Sequence, residues 1–186
     1  MNAPEFSRPV RIDTIGEAPR QLQVEAEEVE RINLARRFGL VAIDRLAAAL
    51  TLSRRDEEIA MNGSLSAKVI QACVATGEPL AAEVEAPFAL LFRPQPRAAA
   101  PDEEIELAEA ELDVIFHDGG AIDVGEAVAE TLLLNLDPYP RAPGAEEALK
   151  AAGVKSEEEA GPFGALAGLR DQLDWPSRHP DESQDP

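Results

Sequence analysis

The 186-residue sequence predicts an α+β fold: an antiparallel sheet of four to five strands packed with two helices, followed by a largely extended acidic C-terminal tail. Three observations carry that expectation. Residues 59–73 and 80–92 alternate apolar and polar side chains over two long runs joined by a turn, the pattern of an antiparallel hairpin with one buried and one wet face. Residues 26–38 and 124–136 repeat their apolar positions at helical spacing instead. Beyond Arg141 the chain turns to Glu, Ala, Pro and Gly, which offer too little apolar surface to build a core. The expected organisation is one domain over 1–140, with a mobile loop at 93–104. A mostly disordered tail over 141–186 would carry a short docking segment at 162–173.

In chain order, Phe6 to Ile15 reads as an edge strand, with Val10 and Ile12 alternating with Arg11 and Asp13 and Pro9 confined to its start. From Glu25 the pattern becomes helical. Glu25, Glu27 and Glu28 lie at its start, Arg36 and Arg37 at its end, and Gly39 follows, so charges and stop residue all suit the helix dipole and its C-cap. Its apolar stripe is expected to be Val29, Ile32, Ala35 and Phe38, facing a sheet. Leu40 to Leu52 is open between helix and strand, and its second half is read as strand.

The clearest strand follows. Ile59, Met61, Leu65, Ala67, Val69 and Cys73 share one parity, while Glu58, Asn62, Ser64, Ser66 and Lys68 share the other. Gly63 is the expected site of a bulge or bend. After the turn at Thr76-Gly77-Glu78-Pro79, alternation resumes with Leu80, Ala82, Val84, Ala86, Phe88, Leu90 and Phe92 inward. Leu112, Val114 and Phe116 predict a short further strand closed by Asp118-Gly119-Gly120. Asp123 and Glu126 have capping-box spacing ahead of the helix, and Asp137-Pro138-Tyr139-Pro140 ends it. In the tail, Phe163, Leu166, Leu169 and Leu173 recur near helical spacing, so Pro162 to Leu173 could dock on the core or on a partner; both readings stand.

The charge is unevenly placed. Residues 1–60 carry 9 basic and 11 acidic groups, residues 61–99 carry 3 and 3, and residues 100–186 carry 5 and 22, giving −2, 0 and −17 of the total −19. Affinity for nucleic acid comes largely from Lys and Arg displacing counterions, so the C-terminal half favours a basic protein over bare RNA. A single cysteine excludes an intramolecular disulfide and a Cys-rich zinc site, and it agrees with a reducing compartment. Met1 to Val10 lacks the basic flank and apolar run of a signal peptide, and no stretch approaches the length that spans a bilayer. A cytoplasmic location is expected, with no membrane, cofactor, metal or small-molecule substrate.

Groups suited to chemistry at neutral pH are few. His179 lies in a run of Pro, Ser, Asp and Glu, and His117 reads as a turn residue beside Asp118. Cys73 has inward parity and reads as core, with no base or helix terminus identified to activate it. Asp118-Gly119-Gly120 lacks the remaining glycines and lysine of a phosphate loop. Acidic runs such as Asp102 to Glu104 and Glu157 to Glu159 read as solvated charge. The chain is therefore expected not to be an enzyme.

Three stretches carry a family resemblance: Gly63 to Pro79, including Cys73; Gly120-Ala-Ile122-Asp123 through Glu130 and the apolar run before Pro138; and Pro162-Phe163-Gly-Ala-Leu166-Ala-Gly-Leu169. In order and spacing, over nearly all of residues 5–173, they resemble the YceD family, also called DUF177 or large ribosomal RNA subunit accumulation protein. The resemblance implies a role in accumulation of 23S ribosomal RNA and in making the large subunit, without an established enzymatic activity. Many members carry Cys-x-x-Cys in the first stretch; here Thr76 stands at the second position.

Joined to the charge, the resemblance makes a basic ribosomal protein or large-subunit assembly factor the expected partner, with 23S rRNA engaged indirectly. The candidate partner residues are Glu103, Glu104, Glu106, Glu109 and Glu111 for charge, with Pro162, Phe163, Leu166 and Leu169 as apolar anchors. Two alternatives belong to other classes. Direct rRNA binding would use Arg31, Arg36, Arg37, Arg45, Arg54 and Arg55. A metal-dependent nuclease would need several carboxylates gathered in one pocket.

Overall fold

A computed structural model describes residues 4–95 and 113–154. Two compact units meet at Ala142 and Pro143. The first holds the expected α+β fold, ordered β1 (Pro9–Arg11), a 3-10 turn (Ile12–Thr14), β2 (Arg20–Glu25), α1 (Glu28–Phe38), β3 (Ala42–Arg55), β4 (Glu58–Ala72), β5 (Pro79–Pro94), β6 (Asp113–His117), β7 (Ala121–Asp123) and α2 (Val124–Leu134). In the second unit a helix, α3 (Ala145–Ala151), occupies part of the segment read from sequence as extended tail.

The main sheet has five strands in the order β2-β3-β4-β5-β6. Three long strands form its centre, because β3 to β4 and β4 to β5 are joined antiparallel by tight connections, the first of only Asp56 and Glu57. The expectation of a wholly antiparallel sheet is corrected at one edge, where β6 pairs parallel to β5, from Leu90 with Asp113 to Pro94 with His117. A parallel neighbour requires a crossover connection, and residues 96–112, which include most of the proposed 93–104 loop, lie outside the described residues. The opening segment is strand only over β1, which pairs with β7 in a separate two-stranded sheet. Strands β2 and β7 were not foreseen.

Alternation sorts the two faces as the sequence implied. On β4, Ile59, Met61, Leu65, Ala67 and Val69 are buried, and Leu46, Leu50 and Leu52 of β3 and Ala86, Phe88, Leu90 and Phe92 of β5 join them. Leu34 and Ala35 of α1 and Val128 and Leu132 of α2 complete this core. On the opposite face Asn62, Ser64 and Lys68 are exposed.

Two expectations about α1 and Gly63 change. The helix bounds, the acidic first turn and the Gly39 stop (φ 68°) hold, but the buried side is centred on Leu34 and Ala35, leaving Val29 (68% exposed) and Ile32 (52%) in water. The stripe at 29, 32, 35 and 38 advances in threes and drifts around a 3.6-residue helix, so its first half points away from the sheet. Gly63 forms no bulge: it pairs regularly with Leu50 and Phe88, and the irregularity lies on β3 between Ile43 and Arg45. Glycine is needed there for space. A Cβ would collide with the Ala49 carbonyl oxygen and lie 2.9 Å from Leu50 Cα and from Phe88 Cζ.

Gly63→Ala should therefore lower unfolding stability by about 1–3 kcal/mol through overpacking. Gly16→Ala, where a Cβ meets nothing within 4 Å, is the control with little effect. Urea denaturation of both variants checks this, and equal midpoints for Gly63→Ala and the parent chain would contradict it.

Candidate functional site

The basic residues proposed for RNA do not form one face. Arg31, Arg36 and Arg37 lie on α1, Arg45 lies near the start of β3, and Arg54 and Arg55 lie at its far end, about 30 Å from Arg45 at the rise of a strand. Several already have partners. Arg37 donates to both carboxylate oxygens of Glu126 at 2.6 and 3.0 Å and to Glu5 at 2.9 Å. Its guanidinium is held firmly protonated, first by the Glu126 hydrogen bonds. Arg31 donates to the Ala26 carbonyl at 2.7 Å, Arg54 to the Asp56 carbonyl at 2.8 Å, and Arg45 lies 4.0 Å from Glu25. Among the described residues Arg36 reaches Asn33 alone, at 3.4 Å.

Arg37 belongs to a junction that ties the N-terminal arm to both helices. Asp123 is the N-cap of α2, accepting from Gly125 N–H and Glu126 N–H at 3.1 Å, as its spacing implied. The same carboxylate accepts Arg8 N–H at 2.8 Å and the Ser7 hydroxyl at 2.5 Å. Glu126, expected to close a capping box, turns to Arg37 instead. Arg8 makes a two-pronged bond to Glu30 at 2.6 and 2.8 Å and covers the Phe6 ring at 4.7 Å. The Arg8 bond holds the Glu30 carboxyl below its usual range. These charges hold the architecture together, and no sequence signal links Arg37 to a partner 89 positions away.

The Cys73 turn, at the far end of the β4–β5 hairpin, is the part of the family-like segment with distinctive chemistry. Cys73 N–H donates to Glu78 O and Gly77 N–H to Cys73 O, both at 2.8 Å, closing the loop on itself. The chain after α2 then straps it: Gln71 Nε2 donates to Asp137 O at 2.9 Å, Val74 N–H to Pro140 O at 2.9 Å, and Ala142 N–H to Cys73 Sγ at 3.3 Å. Cys73 is 3% exposed, matching its inward parity.

The sequence offered no base or helix terminus to lower the Cys73 pKa, and the groups that lower it are of another kind. The Thr76 hydroxyl and then the Ala142 N–H pull the thiol from 9.0 down to about 7, against the opposing push of burial. The single hydroxyl proton of Thr76 is donated to Glu78 Oε2 at 3.2 Å, so Glu78 competes with Cys73 for it. The spacing from Cys73 to Thr76 was readable; the Ala142 donor, 69 positions on, was not.

His117, read from sequence as a turn residue, is instead the last residue of β6 and pairs with Pro94. Its Nδ1 accepts Gly119 N–H at 3.2 Å, which leaves the proton on Nε2, an enclosed atom without a partner among the described residues. Among the described residues no group of three or more His, Cys, Asp or Glu is placed to hold a metal, and no helix is long and apolar enough to cross a membrane. The acidic and apolar candidates Glu103, Glu104, Glu106, Glu109, Glu111, Pro162, Phe163, Leu166 and Leu169 lie outside the described residues.

These features define the class first: an α+β chain whose longest hairpin ends in a cysteine-bearing turn, strapped by the segment that leaves α2. A family model matches residues 61–170, well over half the chain, running from β4 through that turn and past α3. The chain belongs to this family, described as Large ribosomal RNA subunit accumulation protein YceD. Membership ties it to accumulation of the large ribosomal RNA subunit. No curated protein and no solved structure matches it.

The lowered thiol has a sign that can be checked. A folded value below the ordinary one means that deprotonation favours the folded chain; the contribution is present above about 9 and is lost as pH falls through about 7. Since Cys73 is the only cysteine, thiolate ultraviolet absorbance reports it alone. The native chain should titrate near 7, and Thr76→Val should move the midpoint upward. A parent midpoint near 9.0 would contradict the hydrogen bonding described.

Proposed function

We propose that this chain supports 23S rRNA accumulation and large-subunit assembly without catalysing a reaction, by binding a basic ribosomal protein or assembly factor and holding it until RNA competes for it. The observation that carries this reading is the placement of charge: 22 acidic against 5 basic residues after position 99, beside a nearly neutral N-terminal part. A surface with that excess raises the association rate of basic proteins and repels phosphate backbones. The family tie to ribosomal RNA supplies the setting. A role in the cytoplasm follows from the same setting. Direct rRNA binding asks for a continuous basic face, and Arg37 is committed to Glu5 and Glu126 while Arg54 and Arg55 lie far from the rest.

Affinity purification of the tagged full chain from growing cells, at about 50 mM and about 500 mM salt, tests the proposal through charge screening. Basic large-subunit proteins or assembly factors should be recovered at low salt, depleted at high salt and insensitive to ribonuclease. Recovery of no such protein at low salt, or recovery that needs intact RNA, would overturn it.

A further inference from the structure

We infer that the Cys73 turn and its strap form the apolar anchor of the partner surface, with Val74 and Tyr139 as the contact side chains. The matching feature on the partner is an apolar pocket with a basic rim. This rests on the basic-partner reading above and locates it on the described residues.

The turn is held by backbone bonds together with the Gln71, Cys73 and Asp137 side chains. Cys73, Val74, Gly77 and Ala142 each donate a backbone N–H within the turn and strap, and Tyr139 N–H is fixed at 2.9 Å by Asp137 Oδ1. The side chains of Val74 and Tyr139 take no part in these bonds and stand 52% and 73% exposed. The backbone segments that carry them are adjacent, because Val74 N–H bonds the carbonyl of Pro140, the residue after Tyr139. Leu134, 78% exposed in the last turn of α2, adds a further apolar side chain just ahead of the strap. Exposed aromatic and apolar groups on a backbone already ordered lose little entropy on docking, and tyrosine is among the residues that most often dominate an interface.

Charge selects the partner. Glu78 in the turn and Asp137 in the strap are both exposed, against one exposed base there, Arg141, so the described surface at the pair carries a small acidic excess. The other exposed apolar pair, Val29 and Ile32 on α1, differs in its setting. Ile32 shares a groove with Glu28, Arg31, Arg36 and Asp44, whose charges cancel, so that rim offers a basic partner no acidic excess.

The test uses the full chain at low ionic strength. Its probes are the protein fraction of purified large ribosomal subunits freed of RNA and, separately, naked 23S rRNA. Val74→Ser/Tyr139→Ser should bind the protein fraction about tenfold more weakly or worse, and Tyr139→Ser alone should take most of that loss. Both should keep a thermal midpoint within about 2 °C of the parent, because neither the Val74 nor the Tyr139 side chain takes part in the bonds of the turn and strap. Val29→Ser should bind like the parent. Unchanged binding by the double variant, an equal loss in Val29→Ser, or weakened binding to the rRNA alone overturns the anchor while leaving the partner reading in place. Failure of the parent chain to bind the protein fraction overturns the partner reading, and the anchor with it.

Discussion

On β4, Ile59, Met61, Leu65, Ala67 and Val69 are each 0–1% exposed, and the partner strands present their own apolar parity to the same side. A slip of one residue against β3 or β5 would turn all five to water and bring Asn62, Ser64, Ser66 and Lys68 into the core. Each large apolar side chain in that set contributes roughly 1.5–3 kcal/mol by burial. Together they rival the total of about 5–15 kcal/mol that keeps a domain folded. Register in the β3–β4–β5 meander is therefore the constraint from which the rest follows. The fit of Gly63 beneath the Phe88 ring, with no room for a Cβ, is set by the same register.

What the register positions lies at the two ends of the hairpin and on its buried face. The Cys73 turn is where β4 and β5 part, so its height relative to the strap is set by the ladder that ends at Ala72 and Pro79. On the buried face, α1 and α2 contribute to one core and are linked to each other by charge. Arg37 reaches Glu126, Arg8 reaches Glu30, and Asp123 holds both the first turn of α2 and the arm at Ser7 and Arg8. Single exposed ion pairs contribute little, but these are two-pronged, shared among elements and partly shielded, the arrangement in which such pairs matter most.

The parts of the fold legible in the sequence are those whose causes are local. Strands β4 and β5 were read because their alternation runs for many residues, broken on β4 only at Ile70 and Gln71, and the limits of α1 were read from its end charges and Gly39. The buried side of α1 was misjudged because Leu34 lies off the stripe chosen, and only the sheet decides which side faces inward. Strand β2, with Leu22 and Val24 between Gln21, Gln23 and Glu25, is short and mostly exposed; pairing with β3 makes it a strand, more than its own pattern does. The parallel course of β6 depends on a connection whose path has no local signature. At the candidate site the limit was the same. Cys73 and Thr76 were visible as a pair, whereas Ala142 and Pro140 reach the turn only through the fold, and Arg37 looked free because Glu5 and Glu126 are distant in sequence.

A nearly neutral N-terminal part is followed by a strongly acidic C-terminal half in a chain whose family is tied to large-subunit RNA. The central claim is that a basic protein is held by this chain and yielded to RNA. The most direct measurement is competition: the full chain is loaded with the basic protein fraction of the large subunit and titrated with 23S rRNA while free and bound chain are followed. The account predicts release of the chain as the basic proteins pass to RNA, with no chain retained on the RNA. Stable retention of the chain on rRNA, or a chain that never takes up the basic proteins, would contradict it.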